Sequence, residues 1–358
     1  MSRLTPLSKL LIFVAIVVGL FFLVRKFFPN ILSGVGAPKT EQTNGSGANS
    51  TTDAGSPTGT GSSTTTTTTN NTTTTDAGGG STAAQQQQRG TPFAYTPAAP
   101  SGGRLKGVVE LGSTGFNSFI INVDAQKNWE LKKSEFGASL VHENMATDED
   151  IKSGLRKYIS TMLDFGVSGK DIHFVVSSGA AKADVTTKIT KVLKGMGYFV
   201  NEVTPQKEAE LAYKSVVPAT YAAKSFAVDI GSANTKIAWS EGGKIKTIEA
   251  SGSKYFQSNT PDETVYSEVK SKSMGIPSGQ RATCFIIGGV PFDLAKKIRN
   301  GKERYTVLNL PNAYTSETAA KVKAGVNIYK AIADATNCKQ FVFDWDANFT
   351  IGFLLTLP

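Results

Sequence analysis

The amino-acid sequence predicts a duplicated α/β fold of two lobes, preceded by a transmembrane helix and a disordered linker. Three observations support this prediction: an uncharged hydrophobic run near the N-terminus, a long Thr- and Ser-rich stretch, and an order of strands and helices that occurs twice in the remaining chain. The part that is able to bury a core holds roughly 250 residues, which suits two lobes of ordinary size.

The hydrophobic run covers residues 10–24 (LLIFVAIVVGLFFLV), and Lys and Arg residues flank it on both sides. It is short against the roughly 20 residues of a membrane span, but flanking basic side chains can reach the interface. A cleaved signal peptide is the alternative, and the Arg-Lys-Phe-Phe sequence after the run lacks the small residues that signal peptidase requires. We therefore expect a tail over residues 1–8, a transmembrane anchor over residues 9–28 and a single-pass protein of the bacterial inner membrane.

The linker is predicted over residues 29–103, where Thr, Ser, Gly, Asn and Gln dominate and Thr occupies every position from 64 to 69. Such a composition buries too little apolar surface to offset the entropy of ordering, so we expect disorder. As a flexible coil the linker would span roughly 40 to 50 Å, enough to hold a domain clear of the membrane.

The formal net charge of +9 lies almost wholly outside the linker and favours polyanions or anionic lipid as partners. The basic residues are scattered Lys rather than Arg-rich runs with interleaved aromatic residues, so we expect no nucleic-acid partner. Cys284 and Cys338 adjoin apolar runs and the chain has two His, which predicts buried free thiols and no zinc site of Cys and His. The sequence leaves a homodimer open.

The repeated order of elements defines lobe I (residues 104–223) and lobe II (residues 224–358). In lobe I, periodicity predicts strands over 105–111, 116–123, 129–141, 172–177 and 198–203, and helices after the Thr147 N-cap and over 184–194 and 206–216. In lobe II, it predicts strands over 225–230, 235–240, 244–250, 282–287 and 341–345, helices over 262–272, 291–299 and 315–336, and a last apolar segment over 349–357.

Two hairpins carry the duplication most clearly, VVELGSTGFNSFIINVD from Val108 and AVDIGSANTKIAWSEGG from Ala227. Each first strand ends in a carboxylate and is followed by Gly and by small hydroxyl or amide residues, so Glu110 and Asp229 occupy equivalent positions. One such loop alone is more often an ordinary turn, whereas a matched pair can bind a polyphosphate from both sides. The predicted phosphate ligands of these loops are Gly112, Ser113, Thr114, Gly231, Ser232, Asn234 and Thr235. Glu110 and Asp229 would hold Mg²⁺ through water.

From residue 105 to 357 this pattern resembles the actin-like (ribonuclease H-like) ATPase superfamily, and within it the exopolyphosphatase / guanosine pentaphosphate phosphohydrolase (Ppx/GppA) family. Besides the hairpins, the segments HFVVSSGAAKADV, VNEVTPQKEAELAYKSVVP and FIIGGVPFDLAKKI carry the resemblance. It implies a Mg²⁺-dependent phosphoanhydride hydrolase acting on polyphosphate or guanosine penta- or tetraphosphate. It also implies Glu208 as general base, and phosphate contacts from Ser178, Lys182, Gly288 and Gly289.

Each of these positions also has a purely structural interpretation. Glu208 can be a solvated residue at a helix N-terminus, and Gly288-Gly289 can be a turn from a strand into a helix. The sequence also departs from the family, which has Asp where Glu110 stands, Glu where Lys236 stands and Arg where Ala181 stands. The alternative function is therefore a catalytically degenerate module that binds a nucleotide or polyphosphate for sensing or assembly at the membrane.

The side of the membrane is not fixed by charge, because basic residues lie on both sides of the anchor. Nucleotides and polyphosphate are chiefly cytosolic ligands, and this favours a cytoplasmic domain.

Overall fold

The computed structural model describes residues 91–112, 115–138, 147–181 and 183–358. The predicted tail (1–8), the predicted anchor (9–28) and the predicted linker up to residue 90 lie outside the described residues. Within the described part of the chain, no helix is both long enough and apolar enough to cross a membrane.

Lobe I is a five-stranded sheet in the order β3-β2-β1-β4-β5. The central strand β1 is antiparallel to β2 and parallel to β4, so an initial hairpin is followed by crossover helices. Its strands are β1 (Arg104–Leu111), β2 (Gly115–Val123), β3 (Trp129–Ala138), β4 (Ile172–Val176) and β5 (Val200–Glu202), and its helices are α1 (Asp148–Asp164), α2 (Asp184–Gly195) and α3 (Pro205–Val216).

Lobe II repeats this arrangement in a six-stranded sheet of order β10-β11-β9-β6-β7-β8. Its strands are β6 (Ser225–Ile230), β7 (Asn234–Glu241), β8 (Lys244–Ser251), β9 (Thr283–Ile287), β10 (Tyr305–Val307) and β11 (Phe341–Asp344). Its helices are α4 (Asp262–Ser273), α5 (Gly289–Lys296), α6 (Ala320–Thr336) and α7 (Phe349–Thr356). The predicted two-lobe α/β fold is thus confirmed.

The duplication holds at the level of individual residue pairs. Glu110 of β1 lies opposite Asn117 of β2, and Asp229 of β6 lies opposite Lys236 of β7. In both hairpins the partner follows the carboxylate by seven residues, so the two pairs are structural equivalents.

Helices α3 and α7 pack together in a core that also contains residues of both sheets. Leu211 of α3 and Ile351 of α7 are fully buried there. Gly352 permits the contact, since a Cβ at this position would overlap the backbone carbonyl oxygen of Leu211. The first turn of α3 and the N-cap of α7 therefore have fixed positions at the boundary between the lobes.

The end of the predicted linker is ordered on the domain. The Thr91 amide donates to the Lys339 carbonyl oxygen (3.0 Å), and the Phe93 ring packs against the rings of Phe285 and Tyr305, at centroid distances of 5.7 and 5.3 Å. The polar average composition of residues 29–103 conceals the aromatic side chains near its end, and the ordered chain begins by Thr91.

Other differences from the prediction are local. Helix α5 begins at Gly289 rather than at Pro291, and α6 begins at Ala320 because residues 311–314 form a separate 3₁₀ turn. Strand β10 has only three residues and was not predicted, and the last apolar segment is helix α7. Strand β3 ends at Ala138, and the rest of the strand predicted to residue 141 lies outside the described residues.

Candidate active site

A cleft of about 780 Å³ lies where the two duplicated hairpins, the end of β9 and the first turn of α3 converge. It contains most of the residues predicted for the site: Glu110, Gly112, Glu208, Asp229, Gly231, Ser232, Asn234, Gly288 and Gly289. Ser113, Thr114 and Lys182 were also predicted as phosphate ligands and lie outside the described residues.

Two other predicted phosphate ligands form hydrogen bonds within the protein. The Thr235 hydroxyl is buried and donates to the Ser251 carbonyl oxygen (2.8 Å), which joins β7 to β8. The Ser178 backbone N–H and hydroxyl both donate to Oε2 of Glu208, at 3.0 and 2.6 Å. Ser178 therefore fixes the orientation of the predicted base.

Lys236 lies at the centre of the acidic groups. Its Nζ is 2.6 Å from Oε1 of Glu208 and 3.7 Å from Oδ2 of Asp229, and the Lys236 and Glu208 side chains are only 5% and 3% exposed. Burial lowers the pKa of Lys236, but the attraction of Asp229 and Glu208 outweighs burial, so the pKa is raised above its ordinary value. The ammonium remains charged and neutralises part of the acidic cluster.

Glu110 has a different environment, formed by two amides. Its Oε2 accepts hydrogen bonds from Nδ2 of Asn117 (3.0 Å) and from Nδ2 of Asn348 (3.1 Å), the N-cap residue of α7. Burial raises the pKa of Glu110 to about 7; the two amides oppose this rise and the charge of Glu208 adds to it. Glu110 can therefore gain or lose a proton near neutral pH.

Asp229 lies on the lobe II side of the cleft. Burial raises its pKa, although the Lys236 ammonium limits the rise. Its carboxylate packs against Gly288, whose φ of 108° and close neighbours exclude a side chain. An added Cβ at Gly288 would lie 2.9 Å from Oδ1 of Asp229.

The loop of the second hairpin lies directly against the ammonium, because an added Cβ at Gly231 would be 3.4 Å from Nζ of Lys236. Further along the wall of lobe II the cleft becomes basic and aromatic. The Arg299 guanidinium lies 3.8 Å from the centroid of Trp345, and an added Cβ at Gly289 would lie 3.2 Å from Nζ of Lys321. The cleft thus combines an acidic floor with positive charge on one wall.

The predicted Mg²⁺ does not fit the donor groups of this cluster. Mg²⁺ requires a near-octahedral set of oxygen ligands. Oxygens of Glu208 and Asp229 face Lys236 instead, and Oε2 of Glu110 accepts two amide hydrogen bonds. Among the described residues there is no group of three or more His, Cys, Asp or Glu side chains that could hold a metal ion.

Sequence reasoning identified Lys236 as a departure from the family but missed its position at the centre of the cluster. The signal was present in the matched hairpins, since the equivalence of Glu110 and Asp229 makes Asn117 and Lys236 equivalent as well. Asn348 had no comparable signal, because it reaches Glu110 from 238 residues away in the chain.

No family model and no curated protein matches this chain. Solved structures do match: an exopolyphosphatase from Cytophaga hutchinsonii has a TM-score of 0.57 and 14% sequence identity, and covers 71% of this chain and 97% of its own. A Ppx/GppA family member from Aquifex aeolicus has a TM-score of 0.54 and 13% identity, with coverage of 71% and 97%. At this identity the likeness establishes the fold, and the resemblance to Ppx/GppA predicted from the motifs is confirmed at that level.

Proposed function

We propose that the chain is a divergent phosphoanhydride hydrolase that cleaves polyphosphate or guanosine penta- or tetraphosphate in this cleft. One observation carries the proposal: the two equivalent hairpin loops line the same cleft, and Glu208 lies on its floor with a buried cation beside it. The fold shared with an exopolyphosphatase is consistent with this chemistry.

In the proposed reaction, backbone N–H groups of the two loops bind the terminal phosphate, and Lys236 stabilises the negative charge that develops there. Glu208 accepts the proton of the attacking water. Each carboxylate oxygen can accept more than one hydrogen bond, so the contacts from Ser178 and Lys236 hold Glu208 in place and leave room for a water proton. Glu110 supplies a second group that exchanges protons near neutral pH.

A second candidate is a module that binds the same ligands without cleaving them. It is favoured by the observation that both oxygens of Glu208 already have partners, Lys236 on Oε1 and Ser178 on Oε2. A base that is held too firmly by its neighbours would position the ligand and leave it intact.

The deciding experiment measures phosphate release from polyphosphate, guanosine pentaphosphate and ATP by the wild type and by Glu208→Gln. Removal of a general base is expected to lower kcat by about 10²- to 10⁴-fold. Glu210→Gln is the matched control, because Glu210 lies on the same helix and pairs with Lys207 at the surface. The thermal midpoint of each variant shows whether it is folded.

Turnover lost in Glu208→Gln and retained in Glu210→Gln would support the hydrolase. Stabilisation by a ligand without turnover in the wild type would favour the binding module. Neither turnover nor ligand stabilisation would rule out both.

The predicted anchor over residues 9–28 extends the proposal to the membrane, with the domain on the cytoplasmic side. Deletion of residues 1–28 should move the protein from the membrane fraction to the soluble fraction. In spheroplasts, the cytoplasmic placement requires that added protease leaves the full-length domain intact, and cleavage there would reverse the orientation.

A further inference from the structure

The acidic cluster of the cleft contains a cation of its own. Glu208 and Asp229 both direct an oxygen at Lys236, within 2.6 and 3.7 Å. The attraction of Glu110 also acts on this ammonium. Three carboxylates therefore share one buried positive charge, which is supplied by the protein.

This ammonium occupies the region where a divalent cation would have to lie to use these carboxylates. A metal ion between Glu208 and Asp229 would displace Lys236 or repel it at short range, and the Lys236 side chain is almost fully buried. The ammonium also lies against the Gly231 loop, where the phosphate of a ligand would be bound.

We propose that Lys236 takes the place of a divalent cation, so that the cleft binds the phosphate chain of its ligand without a metal. Arg299 and Lys321 on the cleft wall add positive charge for the rest of the chain. This inference rests on the proposed function and specifies the form of its ligand, which is the metal-free polyphosphate anion.

The first test is titration of the wild type with inorganic tripolyphosphate, once with EDTA and once with excess Mg²⁺. The expected Kd is the same within about twofold under both conditions, and Lys236→Gln is expected to weaken binding by about tenfold or more. Lys246→Gln on the neighbouring strand β8 is the control, since it removes the same charge at an exposed position. A Kd that is more than about tenfold lower with Mg²⁺ would overturn the inference and leave the proposed function intact. Absence of binding under both conditions would overturn both.

The second test uses Mg²⁺ or Mn²⁺ alone and is independent of the ligand. The thermal midpoint of the wild type should not change when the metal is added. Lys236→Gln leaves three carboxylates without a cation, so the metal should stabilise this variant. Stabilisation of the wild type by the metal would contradict the inference, and this measurement decides even if Lys236→Gln does not fold.

Discussion

Glu110→Gln should change the pH dependence of stability, because it removes an acid whose pKa is shifted by burial. Glutamine keeps the shape of the side chain and cannot ionise. The pKa of Glu110 rises from 4.5 to about 7 in the folded protein, with burial as the main cause. Between these values the folded state binds more protons than the unfolded state, so this group makes the wild type less stable as pH rises.

The size of the effect follows from the shift. At about 1.4 kcal/mol per pH unit, the contribution of Glu110 to the free energy of unfolding falls by at most about 3 kcal/mol between pH 4.5 and pH 8. The variant lacks this loss. The free energy of unfolding of Glu110→Gln minus that of the wild type should therefore increase by up to about 3 kcal/mol over this interval.

Urea denaturation followed by Trp fluorescence at pH 5 and pH 8 measures this difference. Asp344 also has a pKa raised to about 6 by burial, against the opposing effect of Arg304, but it is present in both proteins and cancels in the comparison. If the difference between variant and wild type is the same at both pH values, Glu110 does not titrate in a desolvated environment, and its assignment as a proton acceptor near neutral pH fails.

Three further predictions concern the packing around the cleft. Gly352→Ala should destabilise the protein by about 1 to 3 kcal/mol in urea unfolding despite the higher helix propensity of Ala, because the new methyl group overlaps the Leu211 carbonyl oxygen; Gly195→Ala at the open end of α2 is the control, and equal effects would contradict the prediction. Arg304→Met should destabilise by about 3 to 5 kcal/mol, since it leaves the buried Asp344 carboxylate without its two hydrogen bonds of 3.1 Å; adding Asp344→Asn should recover part of this loss, and no recovery would show that the pair does not interact. Phe93→Ala should speed proteolysis within residues 91–103, because the ring holds this segment on the domain, whereas the exposed Thr96→Ala should not; identical cleavage rates would refute the docking of this segment.

The sequence predicts the fold well because the relevant signals are local. Periodicity and the Thr147 cap place α1 correctly, and the structure shows the complete capping box with Asp150. The two hairpins repeat strand, carboxylate, glycine and strand within a short segment each, so their equivalence is visible without any knowledge of tertiary contacts.

The contacts that determine the chemistry of the cleft are not local. Glu208 meets Lys236 across 28 residues, and Asn348 meets Glu110 across 238. Phe93 packs on Tyr305, although the surrounding composition is that of a disordered linker. Each of these depends on how α3, α7 and the chain before β1 are placed against the two sheets, and periodicity carries no information about that placement.

The duplicated hairpins explain why the two acidic residues of the cleft behave differently. Each carboxylate pairs with the residue seven positions later, and that partner is Asn117 in lobe I and Lys236 in lobe II. An amide donates a hydrogen bond but carries no charge, so burial dominates at Glu110 and raises its pKa to about 7. The ammonium instead bridges Asp229 and Glu208 and neutralises part of their charge. One titratable carboxylate and two that share a cation repel a phosphate chain less than three ionised carboxylates would, and this is the electrostatic condition under which a lysine can replace a metal ion.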